Sequence, residues 1–129
     1  MVGGALVLGC GDTGSGGLAA DIPAGNASAL QAGTLEALPG MGVAIGRDKA
    51  GIYALSLICT HQGCDMSSSG SVSAAGIDCF CHGSVFDPQG NVVQGPAGSP
   101  LPHFAVTEDA GGQLTIHTDQ PVPPATRLV

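Results

Sequence analysis

The chain has no tryptophan, one tyrosine and three phenylalanines among its 129 residues. Its core must be assembled from valine, leucine, isoleucine and alanine, and a small core of that kind gains from covalent or metal staples. Cations are nearly as scarce. Three Lys and Arg stand against ten Asp and Glu, a formal net charge of −7. That balance argues against nucleic acid or an anionic membrane surface as a partner. Apolar length is also missing, since the run Ala5-Leu6-Val7-Leu8-Gly9-Cys10 is far too short to span a bilayer. No stretch carries a persuasive helical period. What abounds is glycine, with 22 residues, and proline, with nine. Short strands joined by many turns have this profile, and the length fits one all-β domain.

The chemistry is concentrated in residues 59–86. One stretch reads Cys59-Thr60-His61-Gln62-Gly63-Cys64, and a second reads Cys79-Phe80-Cys81-His82-Gly83-Ser84. Two cysteines and two histidines on paired loops can hold a metal centre. A tetrahedral Cys₂His₂ zinc site is one candidate, and spacing alone does not exclude it. The further cysteine in each loop speaks against zinc, because a closed structural site has no use for two more thiols. The glycine and serine after His82 suit a site whose amides and hydroxyl point at sulfide.

Both stretches resemble the two boxes of Rieske iron–sulfur proteins, in the disulfide-containing branch found in cytochrome bc-type complexes. The resemblance is close over the boxes and extends more loosely from about Pro39 to His117. It implies an antiparallel β sandwich or barrel, with a small cluster-binding subdomain built of two hairpin loops. It implies a 2Fe–2S cluster with Cys59 and Cys79 on one iron and His61 and His82 on the other. Cys64 and Cys81 would join the loops as a disulfide, and Ser84 would donate its hydroxyl to a bridging sulfide. Neutral imidazoles leave the oxidised centre uncharged, so adding an electron meets less negative charge than in a four-cysteine cluster. Such centres span roughly −150 to +300 mV.

The resemblance also implies single-electron transfer by a soluble or tethered carrier, or by a redox-enzyme subunit, with no acid/base pair or nucleophile of its own. The expected partner is a c-type cytochrome or redox enzyme. An alternative is the iron–sulfur subunit of a quinol–cytochrome c oxidoreductase trimmed of its anchor, with quinol as donor. A structural zinc module is the alternative of another class. A structural disulfide points to an oxidising compartment, here periplasmic or otherwise extracytoplasmic. Cys10 resembles a lipoprotein processing site or the tail of an export signal, against the plainer reading of an incidental thiol. Two positions depart from the high-potential members. Phe86 stands where they carry a tyrosine whose hydroxyl reaches a ligand sulfur, which implies a lower potential here. Gln62 stands where quinol-oxidising members commonly carry leucine.

The organisation expected from these readings is a signal or tether remnant and linker over 1–26, a Rieske domain over 27–120 and a tail over 121–129. The cluster-binding part would occupy about 58–98. Strands are expected near Ala29–Gln31 and Thr34–Ala37. Hairpins are expected over Met41–Arg47 with Ile52–Leu57, and over His103–Thr107 with Gln113–His117. Asp65 to Ala75 reads as a serine-rich loop. Gly76–Asp78, Ser84–Asp87 and Val92–Gln94 read as short strands around the second box. Gly95-Pro96-Ala97-Gly98 resembles the family's proline loop over the cluster. His103 and His117 read as core or surface histidines rather than ligands.

Overall fold

A computed structural model describes residues 21–129, arranged as two antiparallel sheets. The strands are β1 (Asp21–Asn26), β2 (Thr34–Leu38), β3 (Val43–Asp48), β4 (Gly51–Ser56), β5 (Gly70–Ser73), β6 (Gly76–Cys79), β7 (Val85–Phe86), β8 (Val92–Gln94), β9 (His103–Glu108) and β10 (Gln113–Val122). The larger sheet has the order β1-β10-β9-β4-β3-β2, and the smaller runs β5-β6-β7-β8. The smaller sheet is inserted in sequence between β4 and β9, which are neighbours in the larger one. The all-β expectation therefore holds.

Strands β3 and β4 are buried on both faces, and their alternation divides the interior in two. Ala44, Tyr53 and Leu55 face a core shared with Leu57, Met66, Ile77, Phe86 and Leu101. Val43, Ile45, Ile52 and Ala54 face a second core built with Ile22, Leu30, Leu114 and Ile116. The first core contains Cys59 and Cys79, so the site rests directly on the central hairpin. That hairpin turns at Asp48–Gly51, where Asp48 Oδ1 accepts the Ala50 and Gly51 amides at 3.0 and 3.2 Å. Gly51 has φ +138°, and a Cβ there would stand 2.5 Å from the Leu128 carbonyl oxygen, so only glycine fits.

Four expected boundaries differ from the structure. The domain includes Asp21–Asn26, assigned above to the linker: β1 pairs with β10, placing Ile22 opposite Ile116 and Asp21 opposite His117. Pro23 and Gly25 interrupt its strand signal, yet proline is tolerated at an edge. His117 fastens this edge strand, with Nδ1 2.8 Å from Asp21 Oδ1 and Nε2 2.7 Å from Thr107 Oγ1. Ala27–Ala29 is a 3₁₀ turn capped by Asn26, whose Oδ1 accepts the Ser28 amide at 2.9 Å, rather than the start of a strand. The serine-rich stretch 65–75 contains β5, which pairs with β6. The tail is docked as well. Pro121 and Val122 end β10, and Leu128 exchanges two 2.8 Å backbone hydrogen bonds with Ile52. Arg127 donates from Nε and Nη2 to the Asp48 carboxylate at 2.8–3.1 Å, and its guanidinium lies 4.4 Å from the centre of the Tyr53 ring. The expectations on residues 1–20, Cys10 among them, lie outside the described residues. Among the described residues, no helix is long and apolar enough to cross a membrane.

Candidate metal centre

The two boxes form loops with the same backbone closure. In the first, the Cys59 amide donates to the Cys64 carbonyl at 2.8 Å and the Gly63 amide to the Cys59 carbonyl at 2.9 Å. In the second, Cys79 donates to the Ser84 carbonyl at 2.8 Å and Gly83 to the Cys79 carbonyl at 3.1 Å. Gly63 and Gly83 have φ of +76° and +86° with open space beyond, so conformation rather than crowding requires glycine there. Each loop thus presents a cysteine at its start and a histidine two or three residues later.

Cys64 and Cys81 are joined in a disulfide that spans the loops. Cys59 and Cys79 are free and buried, at 3% and 2% exposure. The rings of His61 and His82 meet edge to face, with centroids 4.9 Å apart and planes at 84°. His61 is half-buried and His82 exposed. A buried ring nitrogen without a hydrogen-bond partner is costly, and His61 Nδ1 is one. Two free buried thiols, two adjacent imidazoles and an orphaned ring nitrogen make a donor set that fits a 2Fe–2S cluster. The Sγ atoms of Cys64, Cys79 and Cys81 lie within 4.8 Å of one another. With two of them consumed in the disulfide, that trio is not a metal site.

A third loop, residues 95–99, covers the pair. Ser84 is fully buried, and its Oγ accepts the Ala97 amide at 3.0 Å. Thr60 Oγ1 donates to the Ser99 carbonyl at 2.7 Å, and Gln94 Nε2 donates to the Gly83 carbonyl at 2.9 Å. Sequence reasoning missed Thr60 and Gln94 as anchors. The position of Thr60 between Cys59 and His61 was a signal, whereas nothing in the sequence marked Gln94. Phe86 is wholly buried beside the site, and Gln62 and Phe80 are exposed, Phe80 at 68%.

A third histidine, His103, is enclosed in the interior. His103 is 2% exposed and stacks on Tyr53 at 5.9 Å; its Nδ1 lies 3.1 Å from the Leu101 carbonyl, and its Nε2 has no hydrogen-bond partner. Burial holds its pKa below the ordinary histidine value. Tyr53 donates its hydroxyl to the Pro88 carbonyl at 2.7 Å, tying the large sheet to the turn between β7 and β8. Burial pushes this phenol up to about 12.

The family model for the Rieske [2Fe-2S] domain matches residues 20–105. Over 64 residues, half of this chain and 24% of the relative, it is 41% identical to the chloroplastic cytochrome b6-f complex iron–sulfur subunit of Bigelowiella natans. Over 61 residues it is 41% identical to the cytochrome b6-f complex iron–sulfur subunit of Synechococcus elongatus, covering 46% of this chain and 33% of the relative. The chain thus spans a third or less of the length of these curated relatives. The crystal structure of the plasma membrane Rieske protein of Synechocystis superposes with a TM-score of 0.56 at 27% identity, over 74% of this chain and 97% of that one. The match in family and fold sets the zinc reading aside. This chain belongs to the Rieske [2Fe-2S] domain family.

Proposed function

We propose that the chain passes single electrons through a 2Fe–2S cluster held by Cys59 and Cys79 on one iron and by His61 and His82 on the other. The observation that carries this reading is the division of labour among four cysteines. One pair is spent on the disulfide, while the other is free and buried on the same two loops whose histidine rings meet edge to face. When bound, such a cluster accepts and releases one electron at a potential raised by histidine ligation. The chain's own residues do the rest. Cys59 and Cys79 supply thiolates from a dry core, and His61 offers its otherwise orphaned Nδ1. Ser84, whose Oγ accepts from Ala97, keeps its O–H free to donate inward. Ala97 and Leu101, both buried, help keep water out.

The electron enters and leaves at the exposed His82 edge. The partner is a c-type cytochrome or a redox enzyme in an extracytoplasmic compartment, with the domain soluble or tethered to a membrane. A second reading makes the chain part of the iron–sulfur subunit of a quinol–cytochrome c oxidoreductase, with quinol as donor. The identity to cytochrome b6-f iron–sulfur subunits favours it.

Iron and acid-labile sulfide analysis with pulsed EPR tests the ligand set. Equimolar iron and sulfide and two coupled histidine nitrogens are expected, with loss of the cluster in Cys59→Ser or Cys79→Ser. His103→Leu should retain both nitrogen couplings. Zinc in place of iron, or coupling to only one histidine, would overturn the assignment.

A further inference from the structure

The three sulfurs of Cys64, Cys79 and Cys81 lie within 4.8 Å of one another, yet only two of them are bonded. We propose that they form a built-in thiol–disulfide exchange site, in which Cys79, when no cluster holds it, displaces Cys81 from the Cys64–Cys81 disulfide. This rests on the reading of Cys79 as a cluster ligand only for what suppresses the exchange.

Thiol–disulfide exchange proceeds by attack of one sulfur along the axis of a disulfide and expulsion of the far sulfur. Cys79, within 4.8 Å of both, must therefore swing onto the Cys64–Cys81 axis, a rotation that a bound cluster would forbid. Here the Cys79 sulfur bonds to Cys64, the Cys64–Cys81 bond breaks, and the proton from Cys79 ends on Cys81. The sum is an isomerisation: one thiol and one disulfide give one disulfide and one thiol, and no external oxidant or reductant is needed. Two features set the direction. Cys81 is exposed, so its departing sulfur is solvated as it leaves, whereas Cys64 is half-buried. Attack on Cys81 instead would close a small, strained ring across Phe80 alone. Joining residues 64 and 79 still ties the same two loops and asks less of the backbone.

Burial adds selectivity. Cys79 is 2% exposed, so thiols in solution reach it poorly while the disulfide is its neighbour. Cys59 is equally buried and free, but it does not belong to the cluster of sulfurs. Exchange therefore belongs to Cys79. Its consequence is that a chain that loses its cluster caps its own ligand, exposes a Cys81 thiol at the surface, and cannot be reloaded until a dithiol reductant restores it.

The test compares the loaded full-length chain with the same chain stripped of its cluster by chelator under anaerobic conditions. Both are held at mildly alkaline pH without denaturant, quenched with acid and alkylator, and mapped by peptide mass spectrometry. The stripped chain should accumulate Cys64–Cys79 with alkylated Cys81, exceeding any Cys59-linked species by about tenfold or more, since proximity in the fold selects the attacker. Cys59→Ser, which holds no cluster, should behave like the stripped chain, and dithiol treatment should restore reloading of the stripped parent. Retention of Cys64–Cys81 with Cys79 free in the stripped chain would overturn the proposal. So would Cys59-linked and Cys79-linked products in equal amounts, which would indicate random scrambling. Equal exchange in loaded and stripped chains would support the exchange site but defeat the reading of Cys79 as a ligand.

Discussion

Replacing Ser84 by alanine removes one oxygen that accepts one hydrogen bond and, on the proposed ligand set, would donate another. Ser84 is wholly buried, and its Oγ accepts the buried Ala97 amide at 3.0 Å. Losing that acceptor leaves a buried donor unsatisfied, a cost of about 1–3 kcal/mol. The cost falls first on residues 95–99, whose attachments to the boxes are this bond and that from Thr60 to Ser99. The Ala97 amide should therefore exchange with solvent roughly five- to 150-fold faster, the same range of free energy expressed as a rate. The hydroxyl proton is the other interaction. Because Ala97 is the donor in their bond, the Ser84 O–H would be free to donate to a sulfur of the proposed cluster, and a donor there would favour the more negative reduced state. A charge-assisted bond of about 1.5–3 kcal/mol equals roughly 65–130 mV, taking about 59 mV per tenfold for one electron. Only the difference between the two oxidation states is read, so the potential should fall by a fraction of that range. Protein-film voltammetry on fully loaded protein measures it, with hydrogen exchange at residues 95–99 run in parallel. Faster exchange with an unmoved potential would refute the role of the hydroxyl; no change in either would refute the anchoring as well.

Serine at both Cys64 and Cys81 should leave the ligand loops in place but make cluster release faster, since a bridge across 17 residues contributes about 3 kcal/mol on the chain-entropy model; visible absorbance during a chelator challenge reports the release. His103→Leu should flatten the pH dependence of stability on the acid side. Burial lowers the folded-state pKa of His103, so below the ordinary value of 6.5 the unfolded chain binds a proton that the folded chain refuses, and stability declines there in the parent but not in the variant. Urea titrations at several pH values would show the two curves converging or remaining parallel, and parallel curves would count against the argument. Arg127→Leu should cost about 1–2 kcal/mol by removing a paired guanidinium that also covers the Tyr53 ring. The hydrogen bonds from Arg127 hold the Asp48 pKa below 3.8, so this deficit should be full above that pH and shrink as acid protonates Asp48. A deficit independent of pH down to the acid limit would assign the effect to packing alone.

What the sequence determined by itself was local. Cysteine and histidine at fixed offsets, each box ending in a glycine and its neighbour, specify two loops with one closure pattern, because φ above zero and the chemistry of a ligand are properties of single residues. The central hairpin was equally legible, since Val43–Asp48 and Gly51–Ser56 carry unbroken apolar runs around a turn that Asp48 closes through its own side chain. Tertiary structure decided what depended on distant partners. Asp21–Asn26 becomes a strand only because β10 supplies its hydrogen bonds, and Gly70–Ser73 only because β6 does. The tail has no period to read, since one bridge at Leu128 and one guanidinium at Arg127 hold it. Gln94 reaching Gly83, Tyr53 reaching Pro88 and the enclosure of His103 follow from the same cause. A single polar side chain carries no periodic signal, and its partner is chosen by which backbone the folded sheets bring within about 3 Å.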